Sequence, residues 1–171
     1  MTRFTTRKKV ICSVLITVFF VFLIFNILWF LHFASYKKFL DDKFVMLSGS
    51  LTSFFDQTEP THFGIKKPPY LTYGGNLYAV SADQANSIII WPTLMCKEIQ
   101  EIGLIIEDDG GMGYMVYVDE NMEYDTNKNM GASIEWAMSA KSLLQERQSE
   151  INELFEQAKT RFNLPPHKSP E

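Results

Sequence analysis

Three histidines, two cysteines and one acidic run are the residues of this chain that could carry catalysis or bind a metal. A Ser–His–Asp relay needs a histidine held between an acid and a nucleophile. His32 sits at the end of a long apolar run, His62 in a proline-rich stretch and His167 close to the C-terminus, with nothing in the pattern to position any of them. No two histidines have metal-ligand spacing and no cysteine cluster exists, so zinc is not expected. Asp119, Asn121, Glu123, Asp125 and Asn127 resemble a calcium loop at first sight. An EF-hand needs Gly at its sixth position and Glu at its twelfth, and counting from Asp119 those places hold Tyr124 and Met130. Gly110, Gly111 and Gly113 suggest a phosphate loop, but such a loop opens a helix. Here YMVYVD follows, a second strand, so the glycines read as hairpin chemistry. The expectation is a non-enzymatic chain with no catalytic residue, no cofactor and no metal.

Binding to other macromolecules is the remaining chemistry. Tyr70, Tyr73, Tyr78, Trp91, Tyr114 and Tyr117 crowd one part of the sequence. Tyr and Trp are enriched at interaction hot spots, but β-propensity also accounts for them as core and strand residues, and that is the expectation. Leu40, Phe44, Leu47, Leu51 and Phe54 recur at steps of four, three, four and three, the spacing of an apolar helical seam. Asn26 is a strongly polar side chain within an otherwise apolar run, where an amide can bond to a neighbouring helix. Asn26, the five seam residues, Tyr70 and Tyr73 are the candidate interaction residues.

What must position these groups begins with residues 10–33, VICSVLITVFFVFLIFNILWFLHF, where no Lys, Arg, Asp or Glu occurs. As a helix this run reaches about 36 Å, enough to cross a hydrocarbon core of about 30 Å. It is longer than the apolar part of a signal peptide and lacks a small-residue cleavage site, so it reads as an uncleaved transmembrane anchor. Arg3, Arg7, Lys8 and Lys9 precede it, and Lys37, Lys38 and Lys43 follow. That bias places residues 1–9 in the cytoplasm and the rest outside. Trp29 and Tyr36 suit the aromatic belt at the outer boundary.

Charge narrows the partners. Of 16 Lys and Arg, four precede the anchor, leaving 12 against all 20 Asp and Glu, a balance of −8. A nucleic-acid binder carries a basic footprint instead. Cys12 and Cys96 fall on opposite sides of the expected membrane, so no disulfide joins them within one chain.

After the anchor, residues 34–56 read as a juxtamembrane amphipathic helix carrying the seam. It would either self-associate or pack on the chain's own sheet. Residues 57–75 read as a Pro-rich connector, since Pro60, Pro68 and Pro69 forbid regular helix. Strand patterns follow at about 76–81, 87–91, 104–107 and 114–119, with a short helix at 93–102 between the second and third. A long helix is expected at about 133–162 and a loose tail at 163–171. The fold class is α+β: an anchor, then about four antiparallel strands packed against the juxtamembrane helix and a long C-terminal helix. Such a chain in a cell membrane fits best a non-enzymatic interaction subunit of a cell-envelope complex. Its partners would be the lipid bilayer and a membrane or envelope protein, a second copy of itself included. A sensor or ligand-binding module acting through a partner is the next reading, and an envelope immunity or inhibitor protein the third.

Overall fold

The computed structural model describes residues 2–56 and 60–167, with side chains from Lys8 onward. Residues 57–59 of the expected connector and 168–171 of the expected tail lie outside the described residues. Helix α1 (Thr2–Ser35) contains the whole apolar run, and a 3-10 turn (Tyr36–Phe39) prolongs it. It is long and apolar enough to cross a membrane, and its apolar side chains from Val10 to Ile24 stand largely exposed.

Among the described residues seven strands follow: β1 (Phe44–Met46), β2 (Ser53–Asp56), β3 (His62–Lys66), β4 (Asn76–Val80), β5 (Asn86–Pro92), β6 (Ile99–Glu107) and β7 (Gly113–Val118). They form one antiparallel sheet in sequence order, each strand pairing with the next. Helices α2 (Ile134–Glu146) and α3 (Gln148–Phe162) lie against one face. The sheet thus has seven strands where the sequence pattern suggests about four, and two C-terminal helices replace the expected single one.

Each difference has a local cause. The seam at 34–56 is not a helix. Phe44, Val45 and Met46 pair with Asp56, Phe55 and Phe54, because aromatic and β-branched residues stand on both sides of Ser48-Gly49-Ser50. Gly49 has φ +80, which a turn accepts and a helix does not. β3 lies inside the expected connector, with the prolines flanking it rather than interrupting it. The helix expected at 93–102 is a 3-10 turn (Leu94–Cys96), a bend at Lys97 and Glu98, and the start of β6. The C-terminal helix breaks at Arg147, whose N–H still caps the Leu143 carbonyl. A straight helix over 133–162 would be about 45 Å long. The nine residues of β6, the longest strand, cover only about 30 Å. The break lets both apolar stripes rest on the sheet.

The core lies between that face and the helices. Ile65, Leu77, Ile90, Ile102 and Val118 form one continuous row across the strands, all essentially buried. Leu144, Ile151, Leu154, Phe155, Ala158 and Phe162 close over it. Phe162 packs edge-on against Phe39 and Phe63 and stacks on Phe44, tying α3 to the chain that leaves α1. Tyr36 is fully buried in this core instead of standing in an interfacial belt.

Candidate functional site

The meander sends the β1–β2, β3–β4 and β5–β6 connections to one end of the sheet, and α1 enters at that same end. There the loops close around the helix. His32 is 1% exposed and joins two of them. The Met95 N–H donates to His32 Nδ1 at 3.1 Å. Nδ1 therefore carries no proton, and Nε2–H donates to the Tyr73 carbonyl, also at 3.1 Å. Met95 and Cys96 both have positive φ, +62 and +53, a conformation non-glycine residues adopt at a cost. The imidazole is one of the contacts that hold them there. Ser35 Oγ donates to the His32 carbonyl at 2.7 Å and lies 3.1 Å from Cys96 Sγ, while Lys38 Nζ donates to the Cys96 carbonyl. Burial pushes the Cys96 thiol up, against the opposing pull of Ser35 and Lys38, so this cysteine is held as an inert thiol.

One turn below, the β3–β4 loop runs back along α1. Trp29 Nε1–H donates to the Pro69 carbonyl at 2.9 Å, and the Tyr70 hydroxyl donates to Asn26 Oδ1 at 2.8 Å. Asn26 Nδ2 donates to the Phe22 carbonyl at 2.8 Å. The rings of Tyr70 and Tyr73 meet Trp29 and Phe25 edge-on, at 4.9 and 5.2 Å. Of the eight candidate interaction residues, Asn26, Tyr70 and Tyr73 come together here. Both ends of the Asn26 amide are bonded within the chain.

The five seam residues separate. Leu40 ends the 3-10 turn and Phe44 is buried in β1. Phe54 lies half-buried in β2, under the Lys67 ammonium at 4.8 Å from its ring centre. Leu47 and Leu51 stand on the β1–β2 turn, 50% and 80% exposed.

The second feature, which no periodicity announced, is the sheet face opposite the helices. Phe55, Gly64, Tyr78, Ile89, Gly103 and Tyr117 form one row across six strands, with Trp91, Ile105 and Met115 beside it. The two glycines make room for rings. A Cβ on Gly64 would meet the Tyr78 ring at 1.8 Å, and one on Gly103 would meet Trp91 at 2.7 Å. Trp91 and Tyr117 touch at 6.0 Å between ring centres. Tyr114, by contrast, turns inward against Trp136. From β2 to β7 at about 4.8 Å per strand, over about five residues, the face spans roughly 400 Å² of sheet; its large side chains are half-buried against one another, with Met115 exposed. A further exposed apolar group, Met130, Ile134 and Met138, leads into α2.

The sheet edges are blunted. β1 is three residues long. Along β7, the Asn129 side chain stands in for a strand. Its Oδ1 accepts from the Tyr117 N–H at 3.0 Å and its Nδ2 donates to the Tyr117 carbonyl at 2.8 Å.

The residues weighed above for metal or phosphate chemistry have other employment. Asp119 Oδ1 accepts from the amides of Asn121 and Glu123, Asp125 Oδ1 from those of Asn127 and Lys128, and Asp108 Oδ1 from those of Gly110 and Met112. Among the described residues, no three His, Cys, Asp or Glu side chains converge as a metal site. A cleft of about 520 Å³ lies between β2–β3 and α3, and several of its polar groups are bound to one another. Arg161 joins Asp56 at 2.7 Å and Asp41 at 2.8 Å, and the Thr61 hydroxyl donates to Gln157. No protein-family profile, curated protein or solved structure matches the chain.

Proposed function

We propose that this chain is a single-pass, membrane-anchored, non-enzymatic interaction subunit of a cell-envelope complex. Residues 1–9 lie in the cytoplasm and the sheet domain outside, as the Arg and Lys bias around the apolar run argues. The observation that carries the reading is the uncovered sheet face, rich in Tyr, Trp, Ile and Met, in a domain whose other face is closed by α2 and α3. The blunted edges disfavour strand addition, which leaves recognition by the face itself.

The occupant is a heterologous envelope protein with an apolar face rimmed by basic side chains. Two copies of this domain would each bring a net charge of −8, a repulsion that disfavours self-association. On this face Glu107 stands at the distal end of β6, while in the turn beyond it Asp109 pairs with Arg147 of the α2–α3 break at 3.7 Å.

Co-purification from native membranes in mild detergent tests the reading. A stoichiometric partner is expected with the unaltered chain and with Met138→Ala, an exposed residue of α2. Truncating a hot-spot aromatic costs about 2 kcal/mol or more, some thirtyfold in affinity. Trp91→Ala and Tyr117→Ala should therefore shed the partner while the domain stays folded. A monomer without a partner at native expression, or a partner indifferent to both substitutions, refutes it.

A further inference from the structure

We propose that the anchor end of the domain is a second membrane-binding surface, its loops seated in the interfacial layer of an anionic outer leaflet. This rests on α1 being a membrane span.

Depth is the first argument. Counting from Lys9, a hydrocarbon core of about 30 Å takes about twenty helical residues, which puts its outer boundary near Trp29. The Tyr70 hydroxyl bonds to Asn26, three residues below that level. The β3–β4 loop therefore does not hover over the bilayer. It reaches the edge of the hydrocarbon, and there it supplies the partner that an asparagine amide needs in lipid.

Backbone chemistry is the second argument. Irregular backbone survives at that depth only when its polar groups are satisfied. Pro68 and Pro69 have no N–H to satisfy. The Pro69 carbonyl accepts from Trp29 Nε1, from the Thr72 N–H and from the Thr72 hydroxyl, and the Tyr73 carbonyl accepts from His32.

The third argument is the contrast between the two ends of the sheet. At the anchor end every connection exposes apolar tips: Leu51 80%, Tyr70 59%, Leu94 47% and Leu71 40%. Lysines ring the same end, with Lys66 and Lys97 exposed and Lys67 tied to the β1–β2 turn through its N–H to the Thr52 carbonyl. Burial, then the neighbouring Lys37, depresses the Lys67 ammonium, the response of a cation set among apolar groups and a like charge. Glu98 is the one acid in the three connections. The far end carries Asp83, Asp108 and Asp109, with Met112 the large apolar residue exposed in those turns. Apolar tips below a lysine ring, in a domain that is otherwise acidic, complement anionic headgroups above hydrocarbon.

The test places nitroxide labels on the full-length chain in phosphatidylcholine vesicles with and without phosphatidylglycerol. Cys12 is changed to Ser, buried Cys96 is kept, and single cysteines replace Leu23, Leu51, Leu71, Leu94 or Met112. Collision rates with oxygen and with a water-soluble nickel chelate report depth. In anionic vesicles, Leu51→Cys, Leu71→Cys and Leu94→Cys should collide with nickel several-fold less than Met112→Cys. Lys66→Glu with Lys97→Glu should lower the seated population about fivefold for each lysine lost, in anionic lipid and not in neutral lipid. The proposal is overturned if the three loop labels are as aqueous as Met112→Cys while Leu23→Cys is lipid-shielded, a result that leaves the anchor standing. An aqueous Leu23→Cys removes the anchor and the proposal with it.

Discussion

Replacing His32 tests whether the anchor and the domain form one body. The imidazole is buried, bonds to Met95 and Tyr73, and packs edge-on against Tyr36 at 5.4 Å. His32→Phe keeps the ring volume and removes both bonds, at about 1 kcal/mol each, or 2 kcal/mol together. His32→Ala also removes the buried ring, a further ~2 kcal/mol or more. Every 1.4 kcal/mol is tenfold in an opening equilibrium, so amide exchange at Met95 should quicken about thirtyfold in the Phe variant and about a thousandfold in the Ala variant. The effect should stay local, because the strands do not use His32. Exchange along β6 at Leu104, fully buried in the sheet, should barely change. Hydrogen exchange on the reconstituted chain resolves the two regions. Unchanged exchange at 93–98 and 70–75 in the Ala variant would refute the clamp, and so would equal loss of protection in β6, which would mean that His32 merely supports the fold.

Three further outcomes follow from particular contacts. Gly64→Ala should destabilise the domain by about 1–3 kcal/mol through its clash with Tyr78, and should cost almost nothing once Tyr78→Ala is present; a urea-melt double-mutant cycle measures the coupling. Tyr36→Phe should leave stability unchanged or raise it by about 1 kcal/mol in a thermal melt, because the buried hydroxyl has no hydrogen-bond partner among the described residues. The Arg161 hydrogen bond, aided by the Lys43 amide, holds the Asp41 carboxyl below its usual range, so its share of stability is full above about pH 4 and is lost as pH falls through the depressed value. Burial works against the Arg161 charge, but its bonds to Asp41 and Asp56 outweigh that and keep it protonated throughout. Asp41→Asn should accordingly flatten the fall in urea midpoint between pH 5 and pH 2.5.

What the sequence showed and what it hid divide along physical lines. The hairpin of β6 and β7 is legible because Asp108-Asp109-Gly110-Gly111 names its own turn, and Gly111 does take φ +77. The first part of β6 is not. Ile99, Ile102, Leu104 and Ile106 all face the core, but the pairing slips at Trp91 and Pro92, opposite Glu101 and Ile99. That irregularity breaks the two-residue alternation and leaves a spacing that looks helical. The 40–54 stretch fails similarly. Its 4-3-4-3 spacing suits a helix, and only the pairing of Phe44 with Asp56 and the left-handed Gly49 reveal a hairpin. The anchor collar was beyond any local pattern. Asn26 and Tyr70 are 44 residues apart, and His32 and Met95 are 63 apart. Tyr78, Trp91 and Tyr117 carried an ambiguity that only the sheet resolves, since alternation sorts each strand into two faces but says neither how those faces line up across strands nor which one the helices cover.

The geometry also constrains where a partner can stand. α1 passes into the 3-10 turn (Tyr36–Phe39) and is bonded to the β3–β4 and β5–β6 loops, so the domain does not hang from a tether. Strands of five to nine residues reach about 17–30 Å from the anchor end. The row through Tyr78 and Ile89 lies mid-strand, so with α1 in the membrane, as proposed, an occupant of that row would engage within about 30 Å of the bilayer. The loops at the anchor end and the outer face are different surfaces of one sheet, and lipid on the first does not cover the second. Fixing the first restricts the second to a narrow range of heights and tilts. A membrane-bound partner at matching height meets the face already oriented, with less rotational freedom to lose on binding. Under the proposal α1 would do more than localise the chain, because it would present the aromatic face at a set distance from the membrane.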